Sequence, residues 1–194
     1  MKIYVVGSCR VHGPLRGRPG CQRPIVGYTH TAKEAIQRIR FVRGEFSIPN
    51  AVAPFVFARQ QTPVVTAAHR KSLDSADVVV VEVCSAKDVF LDGYSLNLNY
   101  ANGVGEIVEV DDLDLDLAKL KEMVRRLVVV QHVELPDIPD RSRFAARVRD
   151  TCEWLGVPVF NPTKHVTLDD MLDANHYKPA VVKRIGDRLM GFLQ

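Results

Sequence analysis

The run Asp77–Val83, DVVVVEV, limits the fold of this chain more than any other segment. A near-continuous apolar, β-branched stretch with no polar alternation describes a strand covered on both faces, as in a parallel sheet. Lys2–Val6 (KIYVV) and Leu127–Val133 (LVVVQHV) are runs of the same kind, and Val157–Phe160 is a shorter one. Helical patterns lie between them. Thr29 or Thr31 can cap a helix over about Ala32–Val42, with Glu34 placed as in a capping box and Ala35, Ile36 and Ile39 on one face. Gly44 ends that helix. Asp111–Arg126 starts acidic and ends basic, matching a helix dipole. Arg141–Leu155 is a helix closed by Gly156, and Pro179–Leu193 a last helix with proline in its first turn. Strands alternating with helices predict right-handed crossovers and a three-layer α/β/α sandwich with a parallel sheet. The rest reads as connections. Val11–Pro24 is loop-like after a short helical start, Ile48–Gln61 is ambiguous, and Asp88–Gly105 is polar with a turn at Asp92-Gly93. Pro136–Asp140 and Asp169–Lys178 read as loops.

The 194 residues form one expected domain, 1–194, with no internal repeat and no dividing linker. A net charge of +3 from 26 basic and 23 acidic residues, without a basic stripe, argues against a dedicated nucleic-acid binder. No apolar run reaches the ~18–20 residues of a membrane span. Arg10 follows the apolar start too early for a signal peptide. The four cysteines show no C-x-x-C spacing and no histidine at zinc-ligand spacing, so no metal site is expected. Without signal peptide or span, the expected location is a reducing cytoplasm, where a reactive thiol survives. Cys84 and Cys152 read as buried thiols.

In open parallel sheets, ligands bind at the carboxyl ends of the strands. That rule selects the loops Gly7–His12, Cys84–Asp88, His132–Asp140 and Asn161–Tyr177. Gly7-Ser8-Cys9-Arg10 follows the first strand. A thiol there, at a turn opening a helix, favours thiolate. The competing reading is Ser8 as an N-cap and Cys9 as a packed thiol. Asp173 and His176 are three apart and can touch within one turn, the carboxylate orienting the imidazole. The competing reading is a surface acid and a capping histidine. Lys87 and Arg10 serve either as ordinary charged residues or as point charges for a substrate anion. His12 is a rival base, three residues after Cys9. His132 reads as a packed histidine, and Trp154 and Leu155, at helical spacing with Val148, read as core. The acidic run Asp111–Asp116 reads as a solvated helix start rather than a metal site.

Taken together, Gly7-Ser8-Cys9 after the first strand, Asp77 at the entry of the central strand with a polar exit, and Asp173-x-x-His176 before the last helix resemble the SGNH/GDSL hydrolase superfamily over nearly the whole chain. The resemblance implies a flavodoxin-like α/β/α fold, Cys9 in the place of the family's nucleophilic serine, and Asp173 and His176 as its acid–base pair. A cysteine at that position resembles the G-S-C-F-A and capsule-biosynthesis branches, although Arg10-Val11-His12 replaces F-A. The family's third block, with its oxyanion-hole asparagine, has no counterpart in Cys84-Ser85-Ala86-Lys87. Ser85 or Lys87, or Asn97 or Asn99 from the next segment, are the candidates for that role. His30, in Tyr28-Thr29-His30-Thr31, is the candidate for the second-block wall. The implied activity is acyl transfer through a thioester, as esterase, thioesterase or acyltransferase, on a small ester or thioester. The implied protein needs no cofactor. The alternatives are a coenzyme A-dependent acetyltransferase of polysaccharide or natural-product biosynthesis, with coenzyme A as acyl donor, and a non-catalytic ligand-binding domain. The oligomeric state stays open.

Overall fold

Valine-rich strands that tolerate water on neither face belong at the centre of a layered fold. The computed structural model, which describes residues 1–22, 27–101 and 103–194, has them there. In chain order the elements are β1 (Ile3–Val6), α1 (Cys9–Leu15), α2 (Ala32–Arg43), α3 (Ala53–Phe57), α4 (Ala67–Asp74), β2 (Val78–Val83), β3 (Lys87–Leu91), β4 (Tyr94–Leu96), α5 (Leu98–Ala101), β5 (Glu106–Glu109), α6 (Leu113–Met123), β6 (Leu127–Gln131), α7 (Pro139–Leu155), β7 (Val159–Phe160), β8 (Met171–Asp173), β9 (His176–Tyr177) and α8 (Pro179–Leu193).

The main sheet has the order β1-β2-β6-β7, with every pairing parallel. On the free side of β1, Cys21 makes a parallel bridge to Ile3. Ile3 N–H donates to Gly20 O, and Gln22 N–H to Ile3 O. With that bridge the sheet follows the 2-1-3-4-5 order of flavodoxin-like folds, whose switch point lies between the first strand and the next one inward. Here that place is the carboxyl end of β1 and β2.

Side chains alternate across the sheet with the strand period of two. Tyr4, Val6, Val79, Val81, Val83 and Val129 face α2, α6 and α7, packing with Ile39, Leu117, Leu120 and Val148. Ile3, Val5, Val78, Val80, Val128 and Val130 face α1 and α8, packing with Val11, Leu15, Ile185 and Leu189. The result is the expected three-layer α/β/α sandwich. Each fully buried aliphatic side chain stabilises it by roughly 1.5–3 kcal/mol. Thr31 caps α2 by accepting the N–H of Glu34 at 3.2 Å, and Gly44 and Gly156 end α2 and α7.

Several segments differ from the sequence reading. The stretch from Val11 is helical as far as Leu15, despite Gly13 and Pro14. Val11 and Leu15, four apart, bury on the sheet and outweigh the poor helix formers between them. Residues 23 and 24 of the expected loop lie outside the described residues. The ambiguous stretch contains α3, and α4 follows it, capped by the Thr66 side chain. Asp88–Gly105 forms most of a second, antiparallel sheet in the order β4-β3-β5. Its hairpin turns at Asp92 (φ 50°) and Gly93 (φ 81°), the left-handed pair a two-residue turn demands. Asp169–Lys178 contains the β8–β9 hairpin. Trp154 is not core but 76% exposed. At six residues from Val148 it points away from the buried stripe, which runs through Val148, Cys152 and the partly buried Leu155. The acidic run is not wholly solvated either, since Asp116 turns inward to Lys33 Nζ at 3.3 Å. No helix among the described residues is long and apolar enough to cross a membrane.

Candidate active site

A cavity of about 510 Å³ opens at the carboxyl ends of β1, β2 and β6, at the switch point of the sheet. Its wall brings together Cys9, Arg10, His30, Ser85, Lys87, Asn99 and His176, contributed by five separate stretches of chain. Asp173 stands behind His176, and Asn97 lies in the wall without lining the cavity.

The turn carrying Cys9 is built around one buried carboxylate. Period two sends Glu82 to the α1 side of the sheet, in the row of Val78 and Val80. There it is 0% exposed and accepts the N–H of Ser8 at 2.6 Å and Nε of Arg10 at 2.7 Å. A Cβ on residue 7 would lie 2.8 Å from Glu82 Cβ, so glycine is required for the strand to pass this close. Ser8 caps α1, its hydroxyl accepting the N–H of Arg10 at 3.3 Å. Burial opposes the Glu82 charge, but Arg10 and Ser8 hold its carboxyl below the usual range. Burial likewise opposes the Arg10 charge, and Glu82 overrides it, raising the guanidinium above its ordinary value.

Arg10 reaches two further groups. Its Nη1 lies 2.6 Å from His132 Nε2 and 3.4 Å from the carbonyl of Asn175. His132 Nδ1 stands 3.0 Å from Val133 O, so Nδ1 carries the proton and Nε2 accepts from Arg10. Burial first, then the charges of Arg10 and Arg141, push His132 down to about 3 and keep it neutral. His132 is thus both packed and part of the cavity wall.

The opposite rim is the β8–β9 hairpin. Asp173 pairs with His176 across its turn, and His176 Nδ1 lies 2.8 and 2.9 Å from the two carboxylate oxygens. Asp173 also accepts the N–H of Asn175 at 2.6 Å. That backbone bond, with the His176 contact second, holds its carboxyl below the usual range. Because Nδ1 is engaged, His176 has Nε2 left for other partners. Arg141, from the first turns of α7, fixes the hairpin by donating to Ala174 O and, at 2.9 Å, to Asn175 Oδ1. Both rims are therefore tied by arginines.

The third wall precedes α2. His30 O accepts the N–H groups of Cys84 (2.8 Å) and Ser85 (3.1 Å), fastening this loop to the exit of β2. Asn97 is buried. Its Nδ2 lies within 3.0–3.1 Å of Tyr28 O, His30 Nδ1 and Glu34 Oε2, and its Oδ1 accepts the N–H of Asn99. Ser85 Oγ donates to Lys87 O at 2.8 Å and accepts Lys87 N–H at 3.1 Å. Lys87 Nζ lies 3.9 Å from Glu109. His12 stacks on Tyr28, with ring centroids 6.0 Å apart, and is not among the cavity-lining residues. Burial pushes it down to about 4.

Sequence reasoning missed several residues of the site, Glu82, Arg141 and Cys84 among them. Glu82 had a visible signal, an acid inside a run that must be buried on both faces, which demands a partner. Arg141 sits at the start of the helix following β6, where the carboxyl-end rule points. Cys84, read as a buried thiol, is half-buried and lines the cavity. Its thiol is pushed well above the ordinary range by burial and by the charge of Glu82.

Among solved structures, an acetyl xylan esterase (Est2A) from the rumen bacterium Butyrivibrio proteoclasticus aligns over 100% of this chain and 64% of its own. The identity is 11% and the TM-score 0.33, too low to bear on the fold. In sequence, the chain is 36% identical over 104 residues to the Vi polysaccharide biosynthesis protein TviD of Salmonella typhi. That match covers 50% of this chain and 12% of the relative, so the chain corresponds to a small part of that protein's length. The sequence model of the TviD N-terminal domain matches two overlapping stretches, residues 1–104 and 101–192, which together hold every element of the cavity. The chain belongs to the TviD N-terminal domain family.

Proposed function

We propose that this protein transfers acyl groups through a thioester on Cys9, with His176 as the base and Asp173 as the group that orients it. The observation that carries the reading is the shared cavity. Cys9 and His176 line it from opposite ends of the chain, and His176 keeps Nε2 available because Nδ1 is held by Asp173 at 2.8 Å. The arrangement supports the roles of nucleophile, base and orienting group in triad chemistry.

In the first half-reaction, His176 Nε2 takes the thiol proton and Cys9 Sγ bonds to the acyl carbonyl carbon. The carbonyl π electrons move to oxygen. When they return, the bond to the leaving alcohol or thiol breaks, and that group takes the proton from His176. In the second half-reaction an acceptor hydroxyl or water gives its proton to His176 and attacks the thioester carbonyl, and the bond to Cys9 Sγ breaks as the sulfur takes that proton back from His176. The relative named for polysaccharide biosynthesis favours a sugar hydroxyl as acceptor over water. Tyr28, Tyr100, Asn99 and Asn175 give the cavity aromatic faces beside amide groups, a lining suited to carbohydrate. Acyl-coenzyme A is the proposed donor. The motif order of SGNH hydrolases supports the same assignment.

The test is intact-mass analysis after incubation with acetyl-coenzyme A and with p-nitrophenyl acetate. A mass increase of one acetyl group, mapped to Cys9 and absent from Cys9→Ala, is the expected result. Acetylation that persists in Cys9→Ala, or no adduct with either donor, would overturn it.

A further inference from the structure

The thioester reading leaves one chemical requirement without an assigned residue. Attack on a carbonyl creates an oxyanion, and fast acyl transfer needs fixed N–H donors aimed at it. The segment after β2 does not supply them. The N–H groups of Cys84 and Ser85 are both used by His30 O, and the Ser85 hydroxyl is closed on Lys87. Asn97 is buried in the wall, its two Nδ2 hydrogens shared among Tyr28 O, His30 Nδ1 and Glu34 Oε2 and its Oδ1 taken by Asn99 N–H. Both ring nitrogens of His132 are occupied. Lys87 and Asn99 are exposed residues at the mouth, poorly suited to fixed geometry.

We propose that His30 supplies the side-chain donor, its Nε2–H pointing at the oxyanion formed on attack by Cys9; this rests on the thioester reading above. The tautomer follows from the neighbours. Asn97 must present its oxygen to Asn99 N–H, so its Nδ2, which carries hydrogens and cannot accept, faces His30 Nδ1 at 3.0 Å and leaves no room for a proton on that ring nitrogen. The proton therefore sits on Nε2. The ring is held at both ends of its loop segment: its carbonyl is fixed to the exit of β2, and its Nδ1 is fixed to a buried amide. It lines the cavity that Cys9 lines. Burial, followed by the nearby charge of Arg10, lowers its pKa against the opposing pull of Glu82, so it stays a neutral donor. His30 thus holds the place that an asparagine after the central strand would fill, reached from a different loop.

The experiment compares two reactions of the same sulfur in the full chain. Acetylation by p-nitrophenyl acetate passes through an oxyanion, whereas alkylation by iodoacetamide displaces iodide and forms none. His30→Leu is expected to slow acetylation of Cys9 by ~10²–10³ and to leave alkylation unchanged. His30→Gln, which returns an N–H near the position of Nε2, is expected to recover much of the lost rate. Acetylation at the parent rate in His30→Leu would overturn the proposal. So would parallel loss of alkylation, which would mean that His30 acts on the thiol or the fold, or a Gln variant no better than Leu. If the parent protein is alkylated at Cys9 but never acetylated, the thioester reading itself has failed, a result distinct from failure of the His30 assignment.

Discussion

Arg10 Nε stands 2.7 Å from Glu82 Oε1, with the two side chains 7% and 0% exposed. The pair links the turn carrying Cys9 to the central strand, and through Asn175 O it touches the hairpin carrying His176. Breaking one member leaves a charge buried without its partner. Arg10→Met or Glu82→Leu alone is therefore expected to destabilise the fold by about 3–5 kcal/mol. The double variant should lose clearly less than the sum, since neither charge remains. Urea denaturation of the two single variants and the double checks this. A double variant whose loss equals the sum would mean that the two residues act independently.

Asp173 and His176 are both half-exposed, so their contact adds little to stability, and the role proposed for the pair is read from the rate of acyl transfer. Asp173→Asn can no longer hold Nδ1–H in the same way and is expected to lower acyl transfer by ~10²–10⁴, with the thermal midpoint unchanged. His176→Ala should do at least as much. The check is the acetylation rate of Cys9 alongside thermal melting. An Asp173→Asn variant as fast as the parent would remove the carboxylate from the mechanism.

The buried titratable groups predict losses of stability on both sides of neutrality. His132 is pushed down to about 3 and His12 to about 4, chiefly by burial, from an ordinary 6.5. As pH falls below about 6.5 the unfolded chain takes up protons that the folded one refuses, so stability drops through that range. The lowered Glu82 carboxyl extends the drop below its ordinary 4.5. Glu34 works in the opposite direction. Burial, then the charge of Asp88, push it up to about 8 from 4.5. Between those values the folded state keeps a proton the unfolded state has lost, so its contribution disappears as pH rises. Glu34→Gln is expected to raise the thermal midpoint more at pH ~8.5 than at pH ~5. Melting curves of the parent and Glu34→Gln across pH would show this, and equal shifts at both values would contradict it.

The sheet was readable because strands buried on both faces leave an unambiguous mark. DVVVVEV, KIYVV and LVVVQHV became β2, β1 and β6 with boundaries moved by a residue or two. Helices with caps at both ends, such as α2 between Thr31 and Gly44, were equally plain. The antiparallel β4-β3-β5 sheet was not, because Lys87, Asp88, Glu106 and Glu109 interrupt its short strands and their pairing is decided by tertiary contacts. The same division holds at the site. Cys9, Asp173 and His176 stand at positions that local turn logic selects. The anchoring of His30 depends on Asn97, 67 residues away, and that of Arg10 on Glu82, 72 residues away, which no local pattern reports.

Gly7 offers the sharpest test of how closely the Cys9 turn is fitted. Its φ lies outside the left-handed region, so backbone strain is not the reason for glycine. The reason is space: an added Cβ would stand 2.8 Å from Glu82 Cβ and 3.3 Å from Glu82 Oε2. Glu82 cannot swing aside, because it is fully buried and held by Ser8 N–H and Arg10 Nε. The strain must therefore move the turn itself. Gly7→Ala is expected to destabilise by about 1–3 kcal/mol, the usual range for overpacking. It should also slow acetylation of Cys9 by ~10²-fold, since a displacement of about 1 Å at the reacting atoms carries that cost. Urea midpoints and adduct rates measured on the same preparation separate the two effects. A Gly7→Ala protein with unchanged stability and rate would mean that the contact between β1 and β2 at this level is looser than the packing of Gly7 against Glu82 requires.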